Sequence, residues 1–382
     1  MNLLLHTPDD ESKLSLFYQQ AFKQAIELFI VTAYLTDWDT SLELNPHCRS
    51  FRVIVGKDFG ITRKAACEAV LHWLPPKRKG QFMVADMISG FHPKAMFWKE
   101  ANGECFAIIG SSNLTQAAFK TNYEANVFFN IPRNEYTVAK KWVRSIEAQS
   151  VPVSEDWLMR YMEAVPTGGM IGKKRSRKAA LIGSPLVALE LPLPRGSKNQ
   201  INNRREQLAS YRKHKSGLIR LFRRCAAGGI SSLEFYNQLP RHWSHDNNDR
   251  LQGAGWEILG KHSDFKLLSE SFLRILAANN DDRDDVVVEE IDNLAEKGVV
   301  TRKAFLSEML CLEFPDRYPI LNQPVQNYLR KIKFTAPRGA SEGARYKDIA
   351  TKLRSSLLQN PSHPAKNLAE LDTVICLVFG KK

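Results

Sequence analysis

The side chains best suited to chemistry lie between Phe91 and Glu124, a stretch that reads FHPKAMFWKEANGECFAIIGSSNLTQAAFKTNYE. His92 and Lys94 stand two apart in a run whose alternation, Phe91, Ala95 and Phe97 against His92, Lys94 and Met96, suits a β-strand. Residues two apart on a strand share a face, so an imidazole and an ammonium would be presented side by side. A second apolar run, Cys105 to Ile109, leads into Gly110-Ser111-Ser112-Asn113-Leu114-Thr115. Small and hydroxyl residues there let backbone N–H groups approach an anion, and Asn113 adds a side-chain amide. Glu124 opens a third apolar run, Ala125 to Phe129.

These types in this order suit phosphoryl transfer. A neutral imidazole can attack phosphorus and form a phosphohistidine. Lys94 would neutralise the non-bridging oxygens as charge builds, and Ser111 and Asn113 would donate hydrogen bonds to them. Glu124 would accept from the second imidazole nitrogen and fix the tautomer. The expected catalytic set is therefore His92, Lys94, Ser111, Asn113 and Glu124, able to attack a phosphodiester with no metal and no cofactor. Ser112 and Thr115 can equally be capping residues. Trp98 and Lys99 are weaker candidates for a substrate groove.

His92-x-Lys94, followed by Gly110-Ser111-x-Asn113 and then a Glu eleven residues past the Asn, resembles the phospholipase D superfamily. Within it the stretch is most similar to the bacterial metal-independent nuclease and restriction endonuclease branch, over roughly Met1 to Val165. The superfamily's full motif has an Asp five residues after the Lys, where this chain has Lys99. That departure weakens a phospholipid hydrolase or transphosphatidylase reading more than a nuclease one. The superfamily builds its site from two copies of the motif. None of the eight other histidines is followed by Lys at the second place, so His-x-Lys occurs once. One chain thus carries half a site. The resemblance implies a homodimer in which one His92 is nucleophile and the other general acid. A DNA-binding module with a vestigial site is the non-enzymatic alternative.

The elements that must position these groups follow from the pattern. Helices are expected over Asp10–Glu27, Thr62–Trp73, Asn134–Gln149 and Glu155–Ala164, and strands over Leu28–Leu35, Phe51–Val55 and Phe82–Ala85. Strands alternating with helices make an α/β layered domain with a largely buried sheet. With the resemblance, this becomes an α/β phospholipase D-like sandwich over residues 1–165. Residues 166–210 hold glycine and proline and read as a basic linker, in which Leu186–Leu193 could form a strand. From Tyr211 the pattern is helical, so 211–382 is expected to be a mainly α-helical, DNA- or partner-binding domain. Its signals include the capping box Ser231-x-x-Glu234 and Thr301 as a cap for Arg302–Phe314. Asp281–Asp285 reads as a solvated helix start.

At 382 residues two domains are the natural expectation, and 43% hydrophobic content can bury a core. No apolar run approaches a membrane span, and the acidic N-terminus does not read as a signal peptide. The six cysteines show no metal or redox spacing. They read as buried free thiols of a reducing compartment, which points to the cytoplasm.

The net charge of +13 is concentrated, because Lys173–Arg224 holds fifteen Lys or Arg against Glu190 and Glu206. Such a segment suits a polyanion. The expected DNA contacts are Lys173, Lys174, Arg175, Arg177, Lys178, Arg204, Arg205, Arg212, Lys213, Lys215, Arg220, Arg223 and Arg224. No phosphate-binding Walker loop is present, so a separate ATP-dependent or recognition subunit would have to be another polypeptide.

Overall fold

The computed structural model describes residues 2–8, 13–164, 185–253, 255 and 257–380. The chain divides into two units, Met1–Val187 with Ala336–Ala340, and Ala188–Thr335 with Ser341–Lys382.

The first unit is built on β1 (Asn2–His6), α1 (Lys13–Gln24), β2 (Ala25–Thr32), β3 (Ser50–Val55), α2 (Lys64–Trp73) and β4 (Phe82–Val84). It continues with β5 (Lys94–Glu100), β6 (Cys105–Gly110), α3 (Gln116–Lys120), β7 (Glu124–Asn130), α4 (Arg133–Glu147), β8 (Val151–Pro152) and α5 (Glu155–Arg160). The eight strands form one sheet in the order β1-β7-β6-β5-β2-β3-β4-β8. The β2–β3 and β3–β4 pairs are parallel, and the rest are antiparallel.

The strand period of two decides which helix covers which face. Leu28, Ile30, Met96, Trp98 and Ile108 pack with Leu14, Tyr18 and Phe22 of α1 and Cys67 and Val70 of α2. Their neighbours Phe29, Val31, Phe97 and Ala107 pack with Tyr136, Val143 and Ile146 of α4. Trp98 is fully buried and stacks with Phe106 and Phe128, so it is core and not groove. Lys99 lies near the far end of β5, 4.0 Å from Glu27. Two ion pairs tie α4 to the sheet, Arg52–Glu147 at 2.7 Å and Lys140–Glu27 at 2.9 Å.

The second unit is helical: α6 (Ser197–Ala226), α7 (Ser232–Gln238), α8 (Glu257–Gly260), α9 (Phe265–Ala277), α10 (Arg283–Glu296), α11 (Ala304–Glu313), α12 (Gln323–Lys331), α13 (Glu342–Gln359) and α14 (Leu368–Phe379). The 30-residue α6 starts inside the stretch read above as linker. Leu186–Leu193 forms no strand; Val187 packs in the first unit's core and Leu189 in the second's.

The Ser231–Glu234 capping box forms. Thr301 is not a cap: it sits in a short 3-10 turn, hydroxyl to hydroxyl with Ser263 at 2.5 Å. Nor is Asp281–Asp285 simply solvated. Asp284 is buried, accepting from Arg317 at 2.7 Å and Tyr318 at 2.6 Å. Burial pushes its carboxyl pKa up, but Arg354, Arg317 and Lys347 outweigh that and hold it well below the usual range.

Glu308 on α11 is fully buried, and one of its oxygens accepts from the Leu251 and Gln252 N–H groups at 2.6 and 3.2 Å. Burial pushes its pKa from 4.5 to about 7. Between those values the folded chain holds a proton that the unfolded chain has lost. Stability should therefore fall as pH rises through that window. Replacing it, Glu308→Gln, should flatten this part of the curve in urea titrations at several pH values; an unchanged slope would show that Glu308 ionises freely.

Candidate active site

The catalytic candidates gather where β2, β5, β6 and β7 share one end of the sheet. β5 begins at Lys94, so His92 precedes the strand and does not lie on it. Pro93 explains this, because it has no N–H to donate to a ladder. The pair still meets: Lys94 Nζ is 3.0 Å from His92 Nδ1, 3.3 Å from Nε2 and 3.3 Å from the His92 carbonyl. The approach to His92 is held by the buried Asp58, which accepts from the N–H groups of Gly90 at 2.8 Å and Phe91 at 3.2 Å. Gly90 takes φ +70°, a turn that favours glycine. His92 is exposed, and Tyr34 meets its ring edge-on at 5.8 Å. Burial lowers the Lys94 pKa from its ordinary 10.5, opposed by Glu124.

The Gly110–Asn113 turn is pinned from two sides. A Cβ on Gly110 would collide with Asn126 Oδ1 and the Ala125 carbonyl, so only glycine lets β6 turn there. Beneath it, Asn126 donates to Ser112 Oγ at 2.8 Å, and Ser112 N donates to Asn126 Oδ1 at 3.3 Å. Ser112 is therefore structural. Thr115 caps α3 through Ala118 N at 3.1 Å. From the other side, Asn113 Oδ1 accepts from Tyr34 N at 3.2 Å and Thr32 Oγ1 at 3.3 Å. Holding the oxygen turns the amide NH₂, the donating half, outward.

Ser111 and Glu124 pair with each other. The Ser111 hydroxyl donates to Glu124 Oε2 and accepts from Ala125 N at 3.0 Å, while Asn122 Nδ2 donates to Glu124 Oε1 at 3.1 Å. Glu124 is thus engaged by Ser111 and Asn122, and the nearest charged neighbour of His92 is Lys94. Thr32, Tyr34 and Asp58 are positioning residues that sequence reasoning missed. Nothing local marks them, since Thr32 and Asn113 meet across 81 positions.

The expected DNA-contact residues divide. Lys173, Lys174, Arg175, Arg177 and Lys178 lie outside the described residues. Arg204 is buried, donating to Asp372 at 2.9 Å and to the Leu251 carbonyl at 2.9 Å, so it faces the core. Arg205 forms a bidentate pair with Glu370 at 2.8 and 3.1 Å, and Lys215 pairs with Glu313 at 2.8 Å. Arg224 reaches Gln238 at 3.5 Å. Arg212, Lys213, Arg220 and Arg223 are exposed along α6.

The tie from Thr32 to Asn113 is open to test. Thr32→Val keeps the side chain's shape but removes one of the two donors to Asn113 Oδ1 and the acceptor of Leu114 N, and so loosens the Asn113 turn. We expect turnover to fall about ten-fold, the equivalent of one net hydrogen bond, with substrate affinity nearly unchanged. Wild-type kinetics in this variant would mean that Asn113 does not act through its anchored oxygen.

Residues 12–157 match the family model described as NgoFVII restriction endonuclease N-terminal PLD domain. No curated protein matches the chain. Among solved structures, NucT from Helicobacter pylori is 15% identical, with TM-score 0.30 over 40% of this chain and 98% of that one. Nuc from Salmonella typhimurium, titled a phospholipase D family member, is 15% identical, with TM-score 0.28 over 40% and 97%. Phosphatidylserine synthase from Haemophilus influenzae Rd KW20 is 13% identical, with TM-score 0.29 over 40% and 39%. The matched stretch holds all five catalytic candidates, and over it the chain is similar to the phospholipase D-type N-terminal domain of a restriction endonuclease.

Proposed function

We propose that this chain is a metal-independent DNA endonuclease that cuts through a phosphohistidine on His92 at a homodimer interface, in restriction or phage defence in the cytoplasm. No helix of the described residues is long and apolar enough to cross a membrane. The observation that carries the reading is the exposed His92 imidazole with Lys94 Nζ at 3.0 Å, beside an amide whose oxygen is already anchored.

The chemistry follows from these groups. A neutral His92 nitrogen attacks phosphorus; the N–P bond forms as the P–O bond to the leaving strand breaks. Lys94 and the Asn113 amide meet the charge on the non-bridging oxygens. The leaving oxygen needs a proton, and one chain has a single His-x-Lys. The partner's His92, as imidazolium, supplies it. The resulting neutral imidazole then takes a proton from water, which attacks phosphorus and releases His92. Glu124 keeps Ser111 and the end of β7 in place.

A partner surface adjoins the site. Leu3, Val127, Ile109 and Ala95 are aligned across β1, β7, β6 and β5, with Leu5 opposite Ala125. Leu3 is 64%, Leu5 69% and Ile109 44% exposed. Apolar side chains this exposed, next to a half-site, support a second copy of the chain as their cover.

A plasmid digest in EDTA tests the reading. Wild type should nick or linearise DNA with the metal chelated, and His92→Ala should not. Sedimentation should give a dimer, and Leu5→Asp with Ile109→Asp should yield monomers that no longer cut. A fully active monomer would overturn the shared site.

A further inference from the structure

The helical unit holds a groove, running along both flanks of α12, that the nuclease chemistry does not use. On one flank, a cavity of about 810 Å³ lies against α6, residues 248–253 and α14. Amides outnumber charged groups in its polar lining: beside Arg204, Glu206 and Lys303 stand eight Asn and Gln, six of them Gln200, Asn203, Gln207, Gln252, Gln323 and Gln326. Gln207 donates to the Arg250 carbonyl at 3.0 Å, Gln252 to the Ala304 carbonyl at 2.9 Å and Gln323 to Asn327 Oδ1 at 2.9 Å. Their amide oxygens are thereby held as fixed acceptors. The side chains of Gln200, Asn203 and Gln326 have no hydrogen-bond partner among the described residues and offer donors as well.

On the other flank, a cavity of about 500 Å³ shares Lys303, Leu321 and Gln326 with the first. Here the lining carries Arg330, Lys333 and Arg345, and its one acid is Glu342. Glu342 is already engaged by Arg302 at 2.8 and 3.0 Å and by Lys303 at 3.4 Å. The three cations have no acidic partner among the described residues. Lys333 takes φ +54° just after α12, in the left-handed turn where glycine is the usual choice. Leu329, Phe334 and Ile349 give this flank an apolar floor.

Free cations at one end and fixed amides at the other match one ligand chemistry. Phosphate seeks Arg and Lys whose charge is not spent elsewhere. A nucleobase edge is a planar row of donors and acceptors, and Asn and Gln are the side chains that read it. A bare anion would have no use for six amides, and a peptide backbone no need of three cations. We infer that the groove around α12 binds a nucleotide, its phosphate at Arg330, Lys333 and Arg345 and its base edge at the amides. The source is either a DNA strand with a base out of the stack or a free nucleotide. Naming DNA as one source rests on the nuclease reading.

The test uses the full chain carrying His92→Ala, so that bound DNA is not cut. Anisotropy of a labelled single-stranded oligonucleotide is followed against salt, with adenosine and thymidine monophosphates as competitors. Arg330→Ala with Arg345→Ala should weaken binding by about ten-fold or more, and lower the salt slope by roughly 0.7 per lost phosphate contact. Gln252→Ala with Gln326→Ala should keep the slope and erase preference among oligonucleotides of different base. Loss confined to the oligonucleotide identifies a strand as the source; loss of mononucleotide competition identifies a free nucleotide. Binding of both ligands as in wild type, by variants with unchanged circular dichroism, would overturn the inference. Plasmid cutting by the His92 chain is measured alongside. Cutting with groove-independent binding removes only this inference; groove-dependent binding without cutting removes only the nuclease reading.

Discussion

The site depends on a clasp between the end of β2 and the turn after β6. Leu114 N donates to Thr32 Oγ1 at 3.3 Å, Tyr34 N to Asn113 Oδ1 at 3.2 Å, and Thr36 N to the Leu114 carbonyl at 2.9 Å. Leu35 and Leu114 complete it as an isolated parallel bridge. β2 is the strand that pairs directly with β5, which Lys94 opens. The same few atoms therefore fix the amide donor relative to the nucleophile and the cation. Buried backbone groups left without partners are costly, so the clasp is held as a unit. Gly110 and Asn126 supply the room and the floor that the turn needs.

Rigidity is uneven around this clasp. Asn113, Ser112 and Asp58 are tied by two or more hydrogen bonds each, whereas His92 stands exposed on a loop before its strand. That suits the proposed mechanism, in which Asn113 is a preorganised donor and His92 keeps freedom to approach phosphorus. Lys94 shares both properties, since burial lowers its pKa while its ammonium stays against the imidazole. In the proposed dimer, a second copy would supply the water-excluding wall that this exposed half-site lacks.

Much of this was legible in the residues. Short β-branched runs and helical stripes placed β2, β3, α2, α4 and α11 within a few residues, because local period reports burial directly. The His-x-Lys and Gly-Ser-x-Asn groups come to one end of the sheet because they stand at the ends of the neighbouring strands β5 and β6. What stayed hidden depends on partners far along the chain. The positive face expected of α6 is partly neutralised by acids beyond residue 300: Arg204 by Asp372, Arg205 by Glu370 and Lys215 by Glu313. Asp284 gave no sign that it would be buried, because Arg317 reaches it from the turn after α11 and Arg354 from α13. The amides of the α12 groove span positions 200 to 326 and carry no charge, so composition and charge patterning pass over them.

The proposed covalent bond between His92 and phosphorus can be trapped. Wild-type chain is mixed with DNA labelled at the scissile phosphate, quenched in alkali within a single turnover and digested for mass spectrometry. A phosphoramidate is stable to base and labile to acid, so the account predicts an acid-labile, alkali-stable nucleotide adduct on the peptide that contains His92. Rapid cutting with no adduct on His92 at any quench time, or an equal adduct in His92→Ala, would contradict it.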